Sequence, residues 1–131
     1  MINTMNIKFI DNPALLGTEH KYDTVLVDVE KTIKSWRASI FSFEWLTPEG
    51  KVKTKEQLCT KEHPKRKAIE ALIKSGKPIP KAVLGIGTQD NIEIGIGRAH
   101  FLTLAAHNIN TIPVHIPKSN KEDFKPFLST P

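Results

Sequence analysis

Two glycines and an arginine stand close together in the second half of the chain. Gly95 and Gly97 alternate with isoleucines, and Arg98 follows directly. Glycines at the end of a strand leave the backbone bare, so a ligand can approach it closely. A helix that begins there offers unpaired N–H groups to an anion, and a guanidinium donates to phosphate as a fork. The spacing therefore predicts a phosphate-binding corner of Gly95, Gly97 and Arg98, with His100 within reach of the ligand.

Two carboxylates precede this corner. Glu93 shares a strand face with the glycines, because side chains alternate along a strand. It is a candidate ligand for a Mg²⁺ ion that accompanies a nucleotide, and the candidate catalytic residue for hydrolysis. Asp90 is a candidate second ligand, although it also fits an ordinary polar turn. The glycines likewise fit a tight strand–helix corner that serves packing alone, so both interpretations stay open.

The basic residues are concentrated in one segment. Residues 51–81 contain ten Lys or Arg and three Glu, a local charge of +7, whereas the whole chain carries +5. Clustered positive charge attracts the phosphates of nucleic acid or of a nucleotide. Within the segment, Lys65, Arg66 and Lys67 lie largely off the apolar stripe of a predicted helix and are candidate contacts to a DNA backbone. A solvated, lysine-rich face that keeps the protein soluble is the alternative.

Hydrophobic periodicity predicts the elements that must position these residues. Strands are predicted over residues 7–10, 24–29, 40–45, 82–87, 92–96 and 111–116. Helices are predicted over 64–76, over 98–107, and near 121–125 after a capping box at Ser119 and Glu122. A turn is predicted over 47–50, and Ile92, Ile94 and Ile96 are predicted to face the core. The pattern predicts one small α+β domain over residues 1–131, with a mixed sheet and flanking helices.

The composition excludes several classes of protein. With 39% hydrophobic and 25% charged residues, the chain is close to an average globular protein and is not wholly disordered. No apolar run approaches the ~20 residues of a membrane span, and no basic region followed by an apolar stretch opens the chain. We therefore expect a cytoplasmic protein without a membrane partner. Cys59 is the single cysteine, which excludes an internal disulfide and paired-thiol redox chemistry.

The order of motifs is more specific than the glycines alone. A strand, the Gly-x-Gly-Arg corner, a helix rich in alanine and leucine, and the strand Ile112-Pro113-Val114 follow one another. This order resembles the nucleotide-binding core of the ParB-like/sulfiredoxin-like superfamily, in which sulfiredoxin carries Gly-Cys-His-Arg and ParB carries Gly-Glu-Arg-Arg at the corner. The helix, glycine, proline and strand over 64–84 are similar to the ParB segment upstream. The resemblance covers about residues 60–117 and implies a ParB/sulfiredoxin-like fold that binds ATP or CTP with Mg²⁺.

Three departures from the family narrow what the resemblance implies. Ile96 occupies the position of the sulfiredoxin cysteine, so sulfiredoxin-type reductase chemistry is not expected. Arg98 alone remains of the paired ParB arginines. The residues after 117 leave no room for a helix-turn-helix, so sequence-specific centromere binding is not expected. The layout is most similar to stand-alone plasmid fertility-inhibition proteins of the Osa type, for which NTP hydrolysis and DNA cleavage have been proposed.

Two functional hypotheses follow. The first is a nucleotide-phosphate-binding domain with weak NTPase or DNase activity in plasmid and DNA-transfer processes. The second is a non-enzymatic inhibitor or binding module that recognises DNA, or a protein of a DNA-transfer system, through the basic segment 51–81. The sequence leaves open whether the protein is an enzyme.

Overall fold

The computed structural model describes residues 7–129, which form six strands and three α-helices. The strands are β1 Phe9–Ile10, β2 Tyr22–Asp28, β3 Ile79–Pro80, β4 Val83–Ile86, β5 Ile92–Ile96 and β6 Thr111–Pro117. The helices are α1 Val29–Trp36, α2 His63–Ser75 and α3 Arg98–Ala106. The predicted α+β class is confirmed. None of the helices in the described residues has the length and apolar character needed to cross a bilayer.

The main sheet is mixed and has four strands in the order β2-β6-β4-β5. Strand β6 pairs antiparallel with β2 and parallel with β4, whereas β4 and β5 are antiparallel. Strands β1 and β3 form a separate two-stranded parallel sheet. Helix α3 connects β5 to β6 and packs against α2. The predicted glycine corner therefore lies at the end of β5, an edge strand of the main sheet.

The core lies between one face of the main sheet and the helices. Ile92 and Ile94 are buried as predicted, but Ile96 is 39% exposed. The reason is a register shift in the pairing of β4 with β5, which places Ile96 opposite Val83 instead of continuing the alternation. Trp36 is fully buried in this core.

Residues 40–45 do not form the predicted strand. Ser42–Glu44 forms a short 3-10 turn. The Ser42 carbonyl accepts hydrogen bonds from the N–H groups of Trp45 (3.1 Å) and Leu46 (2.8 Å). These local bonds replace the ladder that a strand would need. The predicted turn after it is present: Gly50 N–H donates to the Thr47 carbonyl at 2.8 Å, and an isolated antiparallel bridge follows.

Helix α1 was not predicted, and the helix predicted near 121–125 is absent. Helix α1 begins directly after β2, where an Asp28 side-chain oxygen accepts from the Lys31 N–H at 2.9 Å. Its buried residues Val29, Thr32 and Trp36 follow helical spacing. The C-terminal segment instead contains two 3-10 turns at Lys118–Asn120 and Lys125–Phe127, because so short a segment gains too few hydrogen bonds to offset helix nucleation.

Candidate anion-binding corner

The corner between β5 and α3 has the tight connection that the sequence predicted. Gly97 is the one residue between the last residue of β5 and Arg98, the first residue of α3, and its φ is +81°. A Cβ built on Gly97 would lie 3.0 Å from the Ala82 Cα. Glycine is therefore required here both by a left-handed backbone and by the close approach of another chain segment.

The first turn of α3 presents its N–H groups without a cap. The Phe101 N–H donates to the Gly97 carbonyl at 3.0 Å, and no side chain caps the helix. The N–H groups of residues 98–100 therefore lack partners within the helix, and the positive end of the helix dipole lies at the same point. Gly95 is exposed, and a Cβ there would make only ordinary contact with the Val83 carbonyl oxygen at 3.6 Å. An anion can approach this backbone.

The Arg98 side chain has partners that the sequence did not indicate. Its guanidinium carbon lies 4.5 Å from the centroid of the Phe41 ring, and its Nη1 donates to Glu44 Oε1 at 2.9 Å. Glu44 Oε2 lies 3.3 Å from Lys61 Nζ, so one carboxylate joins two cations. Sequence reasoning missed Phe41, Glu44 and Lys61 because they are far from Arg98 in the chain and belong to no motif.

His100 folds back over the corner. Its Nδ1 lies 3.4 Å from the position of a Cβ built on Gly97. This nitrogen and Arg98 Nε are both buried without a hydrogen-bond partner among residues 7–129. Burial lowers the pKa of His100, which favours the neutral imidazole. Two unpartnered nitrogens thus lie beside the uncapped start of α3.

The two candidate metal ligands lie apart from this corner. The Glu93 side chain covers Gly87, and its Oε2 accepts from Asn91 Nδ2 at 3.1 Å. Since Glu93 is four residues before Gly97 on β5, about 13 Å of strand separates them. Asp90 is an exposed turn residue with φ of 59°. No group of three or more His, Cys, Asp or Glu converges within residues 7–129. These residues do not fit a Mg²⁺ ion shared with phosphates on Gly97.

The three candidate DNA contacts do not form one exposed face. Lys65 is exposed and pairs with Glu62 at 3.0 Å, and Lys67 is exposed. Arg66 is only 7% exposed, which corrects its predicted position off the apolar stripe. Its Nε lies 3.3 Å from Glu70 Oε2 and its Nη1 donates to the Lys53 carbonyl at 3.0 Å. A guanidinium enters the interior here because a carboxylate and a carbonyl satisfy it.

The fold and the corner together define a small α+β domain with an uncapped strand–helix junction suited to an anion. Comparison with protein-family models, with curated proteins and with solved structures found no match for this chain. The ParB-like relationship of residues 60–117 therefore stays a prediction from the sequence.

Proposed function

We propose that this protein binds the phosphate groups of a nucleotide at the corner of Gly95, Gly97 and Arg98. The observation that carries the proposal is the uncapped first turn of α3, which follows Gly97 directly. This junction brings together the N–H groups of residues 98–100, the positive end of the α3 dipole and the exposed backbone of Gly95. The buried, unpartnered nitrogens of Arg98 and His100 add donor capacity beside it.

Glu44 must leave Arg98 when a phosphate binds. The carboxylate now accepts the guanidinium hydrogen bond that a phosphate oxygen would take. Phosphate can compete with the Glu44 carboxylate for Arg98 because it offers more acceptor oxygens than a carboxylate. Its negative charge is also stabilised by the dipole of α3. Displacement also frees Lys61, the second cation on Glu44. Arg98 and Lys61 then supply two positive charges to the ligand.

The geometry favours binding over turnover. The sequence nominates Glu93 for hydrolysis, with Mg²⁺ and ATP or CTP, but that side chain contacts Asn91 at the opposite end of β5. A nuclease role would also need an activated water near the bound phosphate. We therefore propose nucleotide recognition as the function, and NTPase or DNase activity through Glu93 stays a prediction.

Calorimetry with ATP and CTP at millimolar concentration, with and without Mg²⁺, tests this proposal. Arg98→Ala should weaken binding by about 1.5–3 kcal/mol, the range for a hydrogen bond to a charged group. Gly95→Val should block the approach of the phosphates without backbone strain, since the φ of Gly95 is not positive and a Cβ there makes only ordinary contact with the Val83 carbonyl oxygen. Arg37→Ala is the matched control, because this exposed arginine bonds the Pro48 carbonyl instead. Absence of nucleotide heat, or unchanged binding by Arg98→Ala, contradicts the proposal.

The alternative of a protein-binding module has one observation in its favour. Ile40 and Phe43 are 78% and 69% exposed, and Phe41, which contacts Arg98, is 44% exposed. Neighbouring exposed apolar side chains favour a protein contact. Such a function depends on Ile40 and Phe43 and survives Arg98→Ala, whereas nucleotide binding shows the opposite dependence.

A further inference from the structure

A groove of about 500 Å³ lies between residues 51–56 and the helices α2 and α3. Its walls carry the cations Lys51, Lys53, Lys55 and Arg66, and a single acidic residue, Glu56. The opposite wall is formed by small residues near the end of α3. The groove is therefore strongly cationic, and it lies outside the anion-binding corner.

A second cavity continues the first. It measures about 230 Å³ and shares Lys55 and Arg66 with the groove. It adds His63 and the exposed Lys67. Because, of these two cavities, Lys51 and Lys53 line only the groove and Lys67 lines only the second, the cations extend across both cavities, and we call them the track.

A buried carboxylate holds two of these cations in place. Glu70 is 8% exposed in its side chain, and its oxygens lie 3.1 Å from Lys55 Nζ and 3.3 Å from Arg66 Nε. His107 Nε2 lies 2.6 Å from the same carboxylate. Burial opposes ionisation of Glu70, but hydrogen bonds from His107, Lys55 and Arg66 outweigh it and lower its pKa. Glu70 is thus a positioning residue for the floor of the groove.

Two lysines of the track are not committed to any ion pair. Among residues 7–129, neither Lys51 nor Lys53 lies within ion-pair distance of a carboxylate. Both flank Val52, which pairs with Leu46 in an isolated bridge. Their positive charge is available to an external anion.

We propose that this track binds the phosphodiester backbone of duplex nucleic acid without reading its sequence. A linear series of lysines suits a polymer of phosphates, since each ammonium acts as a point charge. No Phe, Tyr or Trp lines either cavity, so the large aromatic faces on which unpaired bases stack are missing from the lining. Contacts to phosphate alone give affinity and carry no sequence information. The sequence predicted DNA contacts within segment 51–81, with Lys65, Arg66 and Lys67 as candidates, and we place the centre of that surface at residues 51–55.

The test uses a fluorescein-labelled 20-base-pair duplex of random sequence, with fluorescence anisotropy at 50 to 200 mM NaCl. The variant Lys51→Ala/Lys53→Ala should weaken binding at least about fivefold and reduce the slope of log K against log salt by about 1 for each lysine. Lys118→Ala/Lys121→Ala removes the same charge from exposed positions outside the groove, and should change the slope little. Circular dichroism confirms that both variants remain folded.

Three results would overturn the proposal. The wild type fails to bind the duplex at 50 mM salt, or the control pair weakens binding as much as the groove pair. The third result is that poly-glutamate of matched charge displaces the labelled duplex as effectively as unlabelled duplex does. The groove would then be a general site for acidic chains. Arg98→Ala should leave duplex binding unchanged, so this proposal and the nucleotide proposal fail independently.

Discussion

Glu44 and Arg98, separated by 54 positions in the chain, form an ion pair of 2.9 Å at the start of α3. The carboxylate is 11% exposed in its side chain and also contacts Lys61, while the guanidinium lies on the ring of Phe41. The Glu44 carboxylate therefore pairs with Arg98 and Lys61, the same two cations that we assign to a bound phosphate. The Arg98 guanidinium is thus held by a carboxylate of its own chain, while the backbone at Gly95 stays exposed.

Neutralising Glu44 should free Arg98 for a phosphate. Glu44→Gln removes the charge that competes with phosphate, so we expect triphosphate binding to tighten about tenfold, the effect of losing one charge-assisted hydrogen bond. Isothermal titration calorimetry measures the change. Glu49→Gln is the control, because Glu49 is exposed and is not the ion-pair partner of Arg98 or Lys61. Binding that weakens in Glu44→Gln would show that the carboxylate supports the site.

The two glycines of the corner should respond differently to alanine. Gly97→Ala places a side chain on a left-handed residue and 3.0 Å from the Ala82 Cα, so we expect a loss of about 1–3 kcal/mol in the free energy of unfolding. Gly95→Ala makes only ordinary contact and should change stability by less than about 0.5 kcal/mol. Urea denaturation measures both. Equal effects would contradict an architectural requirement specific to Gly97.

Loss of the buried charge at Glu70 should destabilise the contact between α2 and α3. Glu70→Gln leaves Arg66 buried without its carboxylate, which costs about 3 kcal/mol at pH 7. The pKa of Glu70 is lowered on folding, so its contribution is complete above the unfolded pKa near 4.5 and is lost as the pH falls through the lower folded value. Urea denaturation should therefore show wild type and variant converging below pH 4. Glu49→Gln, at an exposed acid outside the groove, should behave as wild type throughout.

His115 should make stability fall in mild acid. Its Nε2 accepts the Asn12 N–H at 3.1 Å and so must be unprotonated. Burial lowers its pKa, with Lys81 acting in the same direction and Asp11 opposing. The unfolded histidine, near 6.5, therefore takes up a proton before the folded one, and stability declines as the pH falls below 6.5.

His115→Gln keeps a hydrogen-bond acceptor that does not titrate. Denaturation at pH 7.5 and pH 5 should show a smaller acid-induced loss in this variant than in wild type. His20→Gln, at an exposed position, serves as the control. An equal loss in wild type and His115→Gln would rule out His115 as a source of the pH dependence.

Local patterns in the sequence were sufficient for the elements around the corner. The alternation of Ile92 and Ile94, the glycine at 97 and the helix after it were predicted because backbone geometry and burial act there over a few neighbouring residues. The same holds for α2, where a proline near the start and Gly76 in a left-handed conformation mark both ends. Residues 40–45 were predicted incorrectly, since apolar residues on both faces of a short segment fit a turn as well as a strand.

The α+β class, the core strands and the Gly97–Arg98 junction can be predicted from the sequence, because each depends on periodicity or on the conformational freedom of one residue. The ion pair of Glu44 with Arg98, the burial of Arg66 and the contacts of Glu70 with Lys55 and His107 are seen only in the folded domain. Such contacts join segments far apart in the chain, and their partners are selected by the packing of the whole domain. The sequence does not distinguish a basic residue that is solvated from one that is buried in an ion pair. The neighbours of such a residue along the chain do not show which carboxylate the fold will bring to it.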